Sequence, residues 1–158
     1  MSTEDKTLSL TQVCWLSEEV NRQKAGPKYV GSMAEALLFT QTIEDKFTAD
    51  DIRKINSKVL GFGRECRYRD TPVTFADGGS SCHPQSVPYA MGRLLEHIPE
   101  KVDTEGKGLI FAEDVDAWIK QFLWIHPFED GNGRVAALLF NWLLKSLDNP
   151  ISFRKFEF

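Results

Sequence analysis

The chain is organised around the polar stretch His126-Pro-Phe-Glu-Asp-Gly-Asn-Gly-Arg134, which joins two long apolar segments. Residues 110–125 carry apolar and aromatic side chains at spacings of three and four, which predicts a long amphipathic helix. Residues 134–144 are apolar on nearly all sides, which predicts a buried helix at the centre of the protein. The polar stretch is therefore predicted to form a tight turn between two core helices.

Helical spacing of apolar residues continues outward from this centre and predicts four more helices, at residues 8–22, 32–43, 48–60 and 89–98. In the second of them, one face collects Met33, Ala36, Leu37 and Thr40. Thr48 is suited to cap the third helix, whose first turn carries two acids, and Gly61 is suited to end it. These patterns predict an all-α fold class.

Residues 67–88 differ from the helical remainder of the sequence. Pro72-Val-Thr-Phe75 has extended character, and Asp77-Gly-Gly79 is a turn signal that permits positive φ. This region is predicted to form a short hairpin on the helical body. Residues 99–108 read as a polar loop, and residues 151–158 alternate like a strand whose partner the sequence does not indicate.

Length and composition narrow the class of protein. The 158 residues are expected to form one domain, with N-terminal helices over 1–44, a core at about 45–147 and a tail over 148–158. Its formal net charge of -4 argues against a nucleic-acid partner. Neither a signal peptide nor an apolar run of about 20 residues is present, so no membrane attachment is expected. The scattered cysteines favour reduced thiols and a cytoplasmic location, in the producing cell or in a host cytosol.

The polar stretch has the features of an anion site. Gly131 and Gly133 permit a sharp turn and leave backbone N–H groups uncovered where the next helix begins, and the helix dipole adds positive potential. Arg134 can bring a guanidinium fork to phosphate oxygens, and the side chain of Asn132 can donate a further hydrogen bond. We therefore expect this turn to bind a phosphate group.

The same stretch also carries reactive groups. Asp130 supplies a hard oxygen ligand of the kind that Mg²⁺ takes beside phosphates. His126 titrates near neutral pH, so it can accept a proton from an attacking hydroxyl. Phe128 lies between them and is expected to pack inward and anchor the loop. The combination predicts in-line attack on a phosphate.

These residues resemble the signature of the Fic domain, HxFx(D/E)GN(G/K)RxxR, position by position from His126 to Arg134. The departure is Ala137, which stands where the motif has its last arginine. The resemblance covers about residues 45–147. It implies a Fic-type helical bundle with a short β-hairpin flap, and a protein adenylyltransferase that moves AMP from Mg-ATP onto a Ser, Thr or Tyr hydroxyl of a target protein.

Roles follow from the resemblance by position. His126 would be the general base and Asp130 the Mg²⁺ ligand. The nucleotide-binding positions would be Phe128, Gly131, Asn132, Gly133 and Arg134. By place rather than by residue, the hairpin at Val73, Thr74 and Phe75 would position the target segment as an added strand.

Ala137 keeps other functions open, because the missing arginine normally contacts the terminal phosphate of ATP in this family. The donor could instead supply UMP, phosphocholine or phosphate, or the chain could be a catalytically silent nucleotide-binding or interaction module. The family's inhibitory motif, (S/T)xxxE(G/N), is approached by Thr40-Gln-Thr-Ile-Glu44-Asp45, whose last position differs. Without a clear match, a separate antitoxin is a possible partner.

Other prominent side chains receive structural interpretations. Helical spacing predicts a core role for the aromatic residues Trp118, Phe122, Trp124, Phe140 and Trp142. Arg67 and Arg69, with Tyr68, form a small basic patch that is expected to position the flap. His83 and His97 lack reactive neighbours in the sequence and receive no role.

Overall fold

The computed structural model describes residues 7–61, 66–100 and 108–152. Within these ranges the α-helices are α1 Leu10–Arg22, α2 Val30–Gln41, α3 Ala49–Leu60, α4 Val87–Glu96, α5 Gly108–Ile125 and α6 Asn132–Leu143. Single 3₁₀ turns, Pro27–Tyr29 and Pro84–Ser86, precede α2 and α4. Every predicted helix is present with its ends displaced by no more than two residues. The all-α class is confirmed.

Local signals in the sequence explain where the helices begin and end. At the start of α3, Thr48 Oγ1 accepts a hydrogen bond from Asp51 N–H (3.2 Å), and Asp51 Oδ2 accepts one from Thr48 N–H (2.9 Å). Gly61 ends the helix in the left-handed conformation, at φ 79°. Such capping satisfies backbone groups that a helix end leaves without partners.

The core is built around α6, which contacts α1, α2, α3 and α5. Ten of its residues are buried, so the prediction of a central buried helix is confirmed. The face of α2 that the sequence singled out is also buried, since Met33, Ala36, Leu37 and Thr40 all lie inside. This packing fixes the amino end of α6 next to the carboxyl end of α5.

The flap, residues 71–82, folds back on itself as expected. Ser81 N–H donates to Val73 O (3.2 Å), and Phe75 N–H donates to Gly79 O (2.7 Å). Thr74 and Ser80 form an isolated antiparallel bridge, and the described part of the chain contains no longer strand. The hairpin is therefore a single tight turn, with Gly78 at φ 90°.

The predicted core aromatic residues are confirmed with one exception, and the predicted tail and polar loop lie mostly outside the described residues. Trp118, Phe122 and Phe140 are buried and Trp142 is partly buried, but Trp124 is 50% exposed, so its predicted core role is wrong. The reason is that two helical positions beyond Phe122 amount to a rotation of about 200°, which turns Trp124 to solvent. Most of the strand-like tail and of the polar loop, at residues 153–158 and 101–107, lies outside the described residues.

No helix in the described ranges has the length and apolar character that crossing a membrane requires.

Candidate active site

The loop between α5 and α6 is anchored by Phe128 and Asn132. Phe128 is 1% exposed, and its ring centroid lies 5.8 Å from that of Tyr68, which confirms that it packs inward. Asn132 Oδ1 accepts from Phe128 N–H (3.0 Å) and Asn132 Nδ2 donates to Phe128 O (2.8 Å). Both ends of the Asn132 amide therefore hold the loop, but Phe128 O uses only one of the two N–H donors of Nδ2, so donation to a phosphate stays a prediction. Its backbone N–H remains at the helix terminus.

Gly131 allows the sharp turn and the close approach to α3 at the amino end of α6. The residue has φ 87°, and a Cβ there would overlap Asn56 Oδ1 on α3. No side chain caps this helix, whose first internal bond runs from Val135 N–H to Gly131 O (2.9 Å). The N–H groups of the first turn have no carbonyl partner within the helix and carry the positive end of its dipole. This terminus can bind an anion.

Arg134 extends the anion site from the first turn of α6. It is 5% exposed, and its guanidinium carbon lies 5.4 Å from the centroid of the Tyr29 ring. Nη2 lies 3.3 Å from Asp130 Oδ1, whereas Nη1 is buried and has no hydrogen-bond partner among the described residues. A buried donor without a partner costs about 1–3 kcal/mol. A bound anion would relieve that cost.

Asp130 is the candidate metal ligand, and its carboxylate is 74% exposed. Its Oδ1 accepts from Gly131 N–H (2.8 Å) as well as facing Arg134. The described residues contain no group of three or more His, Cys, Asp and Glu that could hold a metal. One exposed carboxylate beside an anion site fits Mg²⁺ that is bound together with phosphate oxygens and water. It does not fit a cage made of protein ligands alone.

His126 follows the last residue of α5 and adopts a left-handed conformation, at φ 52°. Its Nδ1 lies 3.4 Å from Leu123 O, which favours the proton on Nδ1 and leaves Nε2 free to accept one. Burial lowers the pKa of His126 below its usual value and the Arg69 guanidinium lowers it further, although the Leu123 carbonyl and Asp130 act in the opposite direction. The imidazole is therefore neutral near pH 7 and ready to act as a base.

A cavity of about 130 Å³ brings the predicted residues together. It is lined by His126, Glu129, Asp130, Gly131, Asn132, Gly133, Arg134 and Gln23. Pockets for small-molecule ligands usually exceed about 300 Å³, so this cavity has room for a phosphate and not for a whole nucleotide. A nucleoside would lie outside it unless a wall moved.

Gln23 forms one wall of the cavity. A Cβ at Gly133 would overlap Gln23 Oε1 and lie 2.9 Å from Gln23 Cδ, so the amide stands directly over the helix terminus. Sequence reasoning missed both Gln23 and Tyr29. Each lies more than 100 positions before the residue that it contacts, and such a contact leaves no local pattern in the sequence.

The flap reaches the site through one of its three predicted residues. The Phe75 ring lies edge-on to the His126 ring, with centroids 5.5 Å apart. Val73 pairs with Ser81, and Thr74 forms the bridge to Ser80. Neither of them lines the 130 Å³ cavity.

Ala137 is fully buried one turn after Gly133 on α6. No guanidinium therefore stands at the position of the motif's last arginine. Glu44 belongs to the segment whose sequence is most similar to the inhibitory motif. It lines a separate groove of about 830 Å³ together with Lys46 and Trp142. That groove contains none of the predicted site residues.

The helical domain thus brings a histidine, an exposed carboxylate and an arginine together around a glycine-containing helix terminus that can bind an anion. The profile of the Fic/DOC family matches residues 46–144, and the chain belongs to that family.

The chain is also similar to two proteins whose names carry the word Fic. It is 28% identical over 117 residues to the protein adenylyltransferase Fic of Nematostella vectensis, covering 72% of this chain and 26% of that protein. A Fic domain containing signaling protein from Bacteroides thetaiotaomicron superposes with a TM-score of 0.59 at 25% identity, over 73% of this chain and 47% of the other. The chain thus spans about a quarter of the first relative and about half of the second.

Proposed function

We propose that the chain transfers AMP from Mg-ATP onto the hydroxyl of a Ser, Thr or Tyr residue in a target protein. The observation that carries this proposal is the cavity in which neutral His126 faces Asp130, Arg134 and an uncapped helix terminus. A base beside an anion site is what transfer of a phosphoryl-linked group to a hydroxyl requires. The adenylyltransferase among its relatives supports AMP as the transferred group.

In the proposed reaction, the target hydroxyl oxygen forms a bond to the α-phosphorus, and the bond from that phosphorus to the β-phosphate oxygen breaks. His126 Nε2 takes the hydroxyl proton, and pyrophosphate leaves. The first-turn N–H groups of α6 would hold the α-phosphate, and Arg134 Nη1 would donate to an oxygen of the leaving phosphates. Asp130 would hold Mg²⁺, which neutralises charge on those phosphates when it is bound.

The flap supports a protein as the acceptor. Val73 O and Phe75 N–H bond to the opposite arm, so the backbone groups of Thr74 between them point the other way. An extended target segment could therefore pair with Thr74 along this free edge. Phe75 places that edge beside the His126 ring, where the acceptor hydroxyl would have to lie.

A different donor is the second candidate, because Ala137 is buried and provides no charge for a terminal phosphate. Loss of one charge-assisted hydrogen bond would weaken ATP binding by about 1.5–3 kcal/mol. A donor that has no third phosphate, such as one that supplies phosphocholine from a nucleoside diphosphate, would not need that contact.

The test is a transfer assay with the purified chain, Mg²⁺ and a cell lysate. ATP, GTP, CTP and UTP labelled on the α-phosphate, and CDP-choline labelled on choline, are supplied in parallel. His126→Ala removes the base. His97→Ala is the matched control, since it replaces an exposed histidine at the end of α4.

Protein labelling from ATP that His126→Ala abolishes and His97→Ala preserves is the expected result. Labelling from another donor with the same mutational pattern would replace AMP by that group. If no donor labels protein while calorimetry still detects nucleotide binding, the proposal of transfer fails and the silent nucleotide-binding module takes its place.

A further inference from the structure

Arg69 is a buried arginine outside the Fic motif, in the segment that leads into the flap, and it is 3% exposed. Its guanidinium donates hydrogen bonds to five acceptors from three parts of the chain. They are His126 O (2.5 Å), Ile125 O (2.9 Å), Thr71 O (2.7 Å), Ser81 Oγ (2.5 Å) and Cys82 O (2.6 Å). Nη2 bonds three of these acceptors, and Nε and Nη1 bond one each, so every nitrogen of the guanidinium is held by the protein itself.

One set of these bonds holds the carboxyl end of α5. The last carbonyls of a helix lack internal partners and carry the negative end of its dipole, and Arg69 bonds those of Ile125 and His126. Arg69 N–H also donates to Pro127 O (2.8 Å). The left-handed conformation of His126 is unfavourable for a residue with a Cβ, so these contacts stabilise a backbone geometry that would otherwise relax.

The other set holds the two ends of the flap. Thr71 precedes the hairpin, whereas Ser81 and Cys82 follow it, and Arg69 bonds all three. Ser81 Oγ also donates to Ile125 O (3.1 Å), so the flap and α5 share a direct bond beside the guanidinium. A displacement of either part would break bonds to the same side chain.

We propose that Arg69 is a positioning residue that sets the distance and orientation between the His126 imidazole and the edge of the flap. The inference deepens the proposed function and rests on it, because transfer requires the acceptor hydroxyl to meet the base in one geometry. Misplacement of reacting groups by about 1 Å can lower a rate about a hundredfold. Arg69 therefore governs the transfer step and leaves nucleotide binding to Arg134.

The charge of Arg69 adds a measurable signature at His126. Around the imidazole, the charged groups are Arg69, Asp130, Glu129 and Arg134. Arg69 lowers the pKa of His126, whereas Asp130 raises it. A neutral residue at position 69 should therefore shift the His126 pKa upward, and a lysine there should shift it less.

The experiment compares Arg69→Gln, which loses the charge, with Arg69→Lys, which keeps the charge and loses the fork. Arg67→Gln is the matched control, because Arg67 is exposed two residues away. Three quantities are measured: the His126 pKa by NMR, hydrogen exchange at the Phe75 and Ser81 amides, and nucleotide affinity by calorimetry. The kcat and KM of transfer complete the set, and His126→Ala assigns the NMR signal.

Both Arg69 variants are expected to speed exchange of the two flap amides at least about tenfold and to lower kcat about a hundredfold. Nucleotide affinity should stay within about twofold of wild type, since Arg134 is untouched. Only Arg69→Gln should raise the His126 pKa clearly. If flap exchange, His126 pKa and kcat in both variants equal those of Arg67→Gln, the inference is overturned.

If both Arg69 variants unfold, Ser81→Ala is measured in their place, because it removes one acceptor of Arg69 and the direct bond to Ile125 O. Faster hydrogen exchange at the Phe75 and Ser81 amides together with a lower kcat supports the inference. Unchanged values of both overturn it. If wild type transfers no group from any donor, the proposed function fails alone. The pKa and exchange measurements then still decide whether Arg69 joins the base to the flap.

Discussion

The two ends of the loop between α5 and α6 use their arginines in opposite ways. At the carboxyl end of α5, all three guanidinium nitrogens of Arg69 donate to acceptors in the protein. At the amino end of α6, Arg134 is equally buried but leaves Nη1 without a partner among the described residues. The neighbouring helix terminus has no side-chain cap either.

The difference is the one expected between an arginine that positions other groups and an arginine that binds a ligand. A guanidinium whose three nitrogens all bond protein acceptors holds the fold in place, whereas an unsatisfied buried donor costs about 1–3 kcal/mol until a ligand arrives. Residues on the α5 side should therefore affect stability and geometry. Residues on the α6 side should affect affinity, except where their side chains are already used within the loop.

Asn132→Ala changes a residue of α6 whose side chain is already used within the loop, and it should have the largest effect on stability. It leaves the buried N–H and C=O of Phe128 without partners, which should lower the free energy of unfolding by about 2–5 kcal/mol. Urea denaturation measures the change, with exposed Asn149→Ala as the control. A loss below about 0.5 kcal/mol would show that the Asn132 amide is free to face a ligand.

Arg134→Met should separate affinity from stability. Nucleotide affinity should fall about 10-fold to 100-fold, because one charge-assisted contact of about 1.5–3 kcal/mol is lost. The melting temperature should hardly change, because an unpaired donor disappears together with a bond to exposed Asp130. Calorimetry and thermal denaturation check both parts, with exposed Arg93→Met for comparison. Unchanged affinity would remove Arg134 from the binding site.

The pH dependence of transfer tests the environment of His126, at the carboxyl end of α5. In the proposed reaction neutral His126 is the active form, and its pKa lies below the usual value of about 6.5 because burial and Arg69 disfavour the imidazolium. Transfer should thus vary less than about twofold between pH 7 and 8 and fall only in more acidic solution. A profile of kcat/KM against pH measures this. A midpoint above the ordinary histidine value would contradict the assigned environment.

Gln23→Ala should give the smallest effect, an increase in nucleotide affinity of about twofold to fivefold. The amide stands over Gly133, so its removal spares the ordering or displacement of one flexible side chain when a phosphate enters. Calorimetry with exposed Gln121→Ala as the control tests this. A decrease in affinity would instead make Gln23 a donor to the ligand.

Local chemistry explains why much of the architecture was predictable. Thr48 and Gly61 bound α3 as the sequence indicated, and residues after Gly133 form the buried helix that their apolar character requires. The motif placed His126, Asp130 and Arg134 at one cavity because they follow one another in a single tight turn.

The remaining errors and omissions have physical causes. Trp124 was misassigned because an aromatic side chain was weighed above its angular position on α5. The two bonds from the Asn132 side chain to the Phe128 backbone were not predicted, because an amide can serve the loop as readily as a ligand. Gln23 and Tyr29 were missed because their contacts with α6 depend on how distant helices pack.

Gln23 and Tyr29 also lie before the segment that defines family membership. A shorter fragment cut to that segment would keep every motif residue, yet it would lose the ring beside Arg134 and the amide over Gly133. Its helix terminus would open to solvent on the side that α1 now covers. We therefore expect α1 and the turn after it to control how far the anion site opens to solvent, although the motif residues lie elsewhere in the chain.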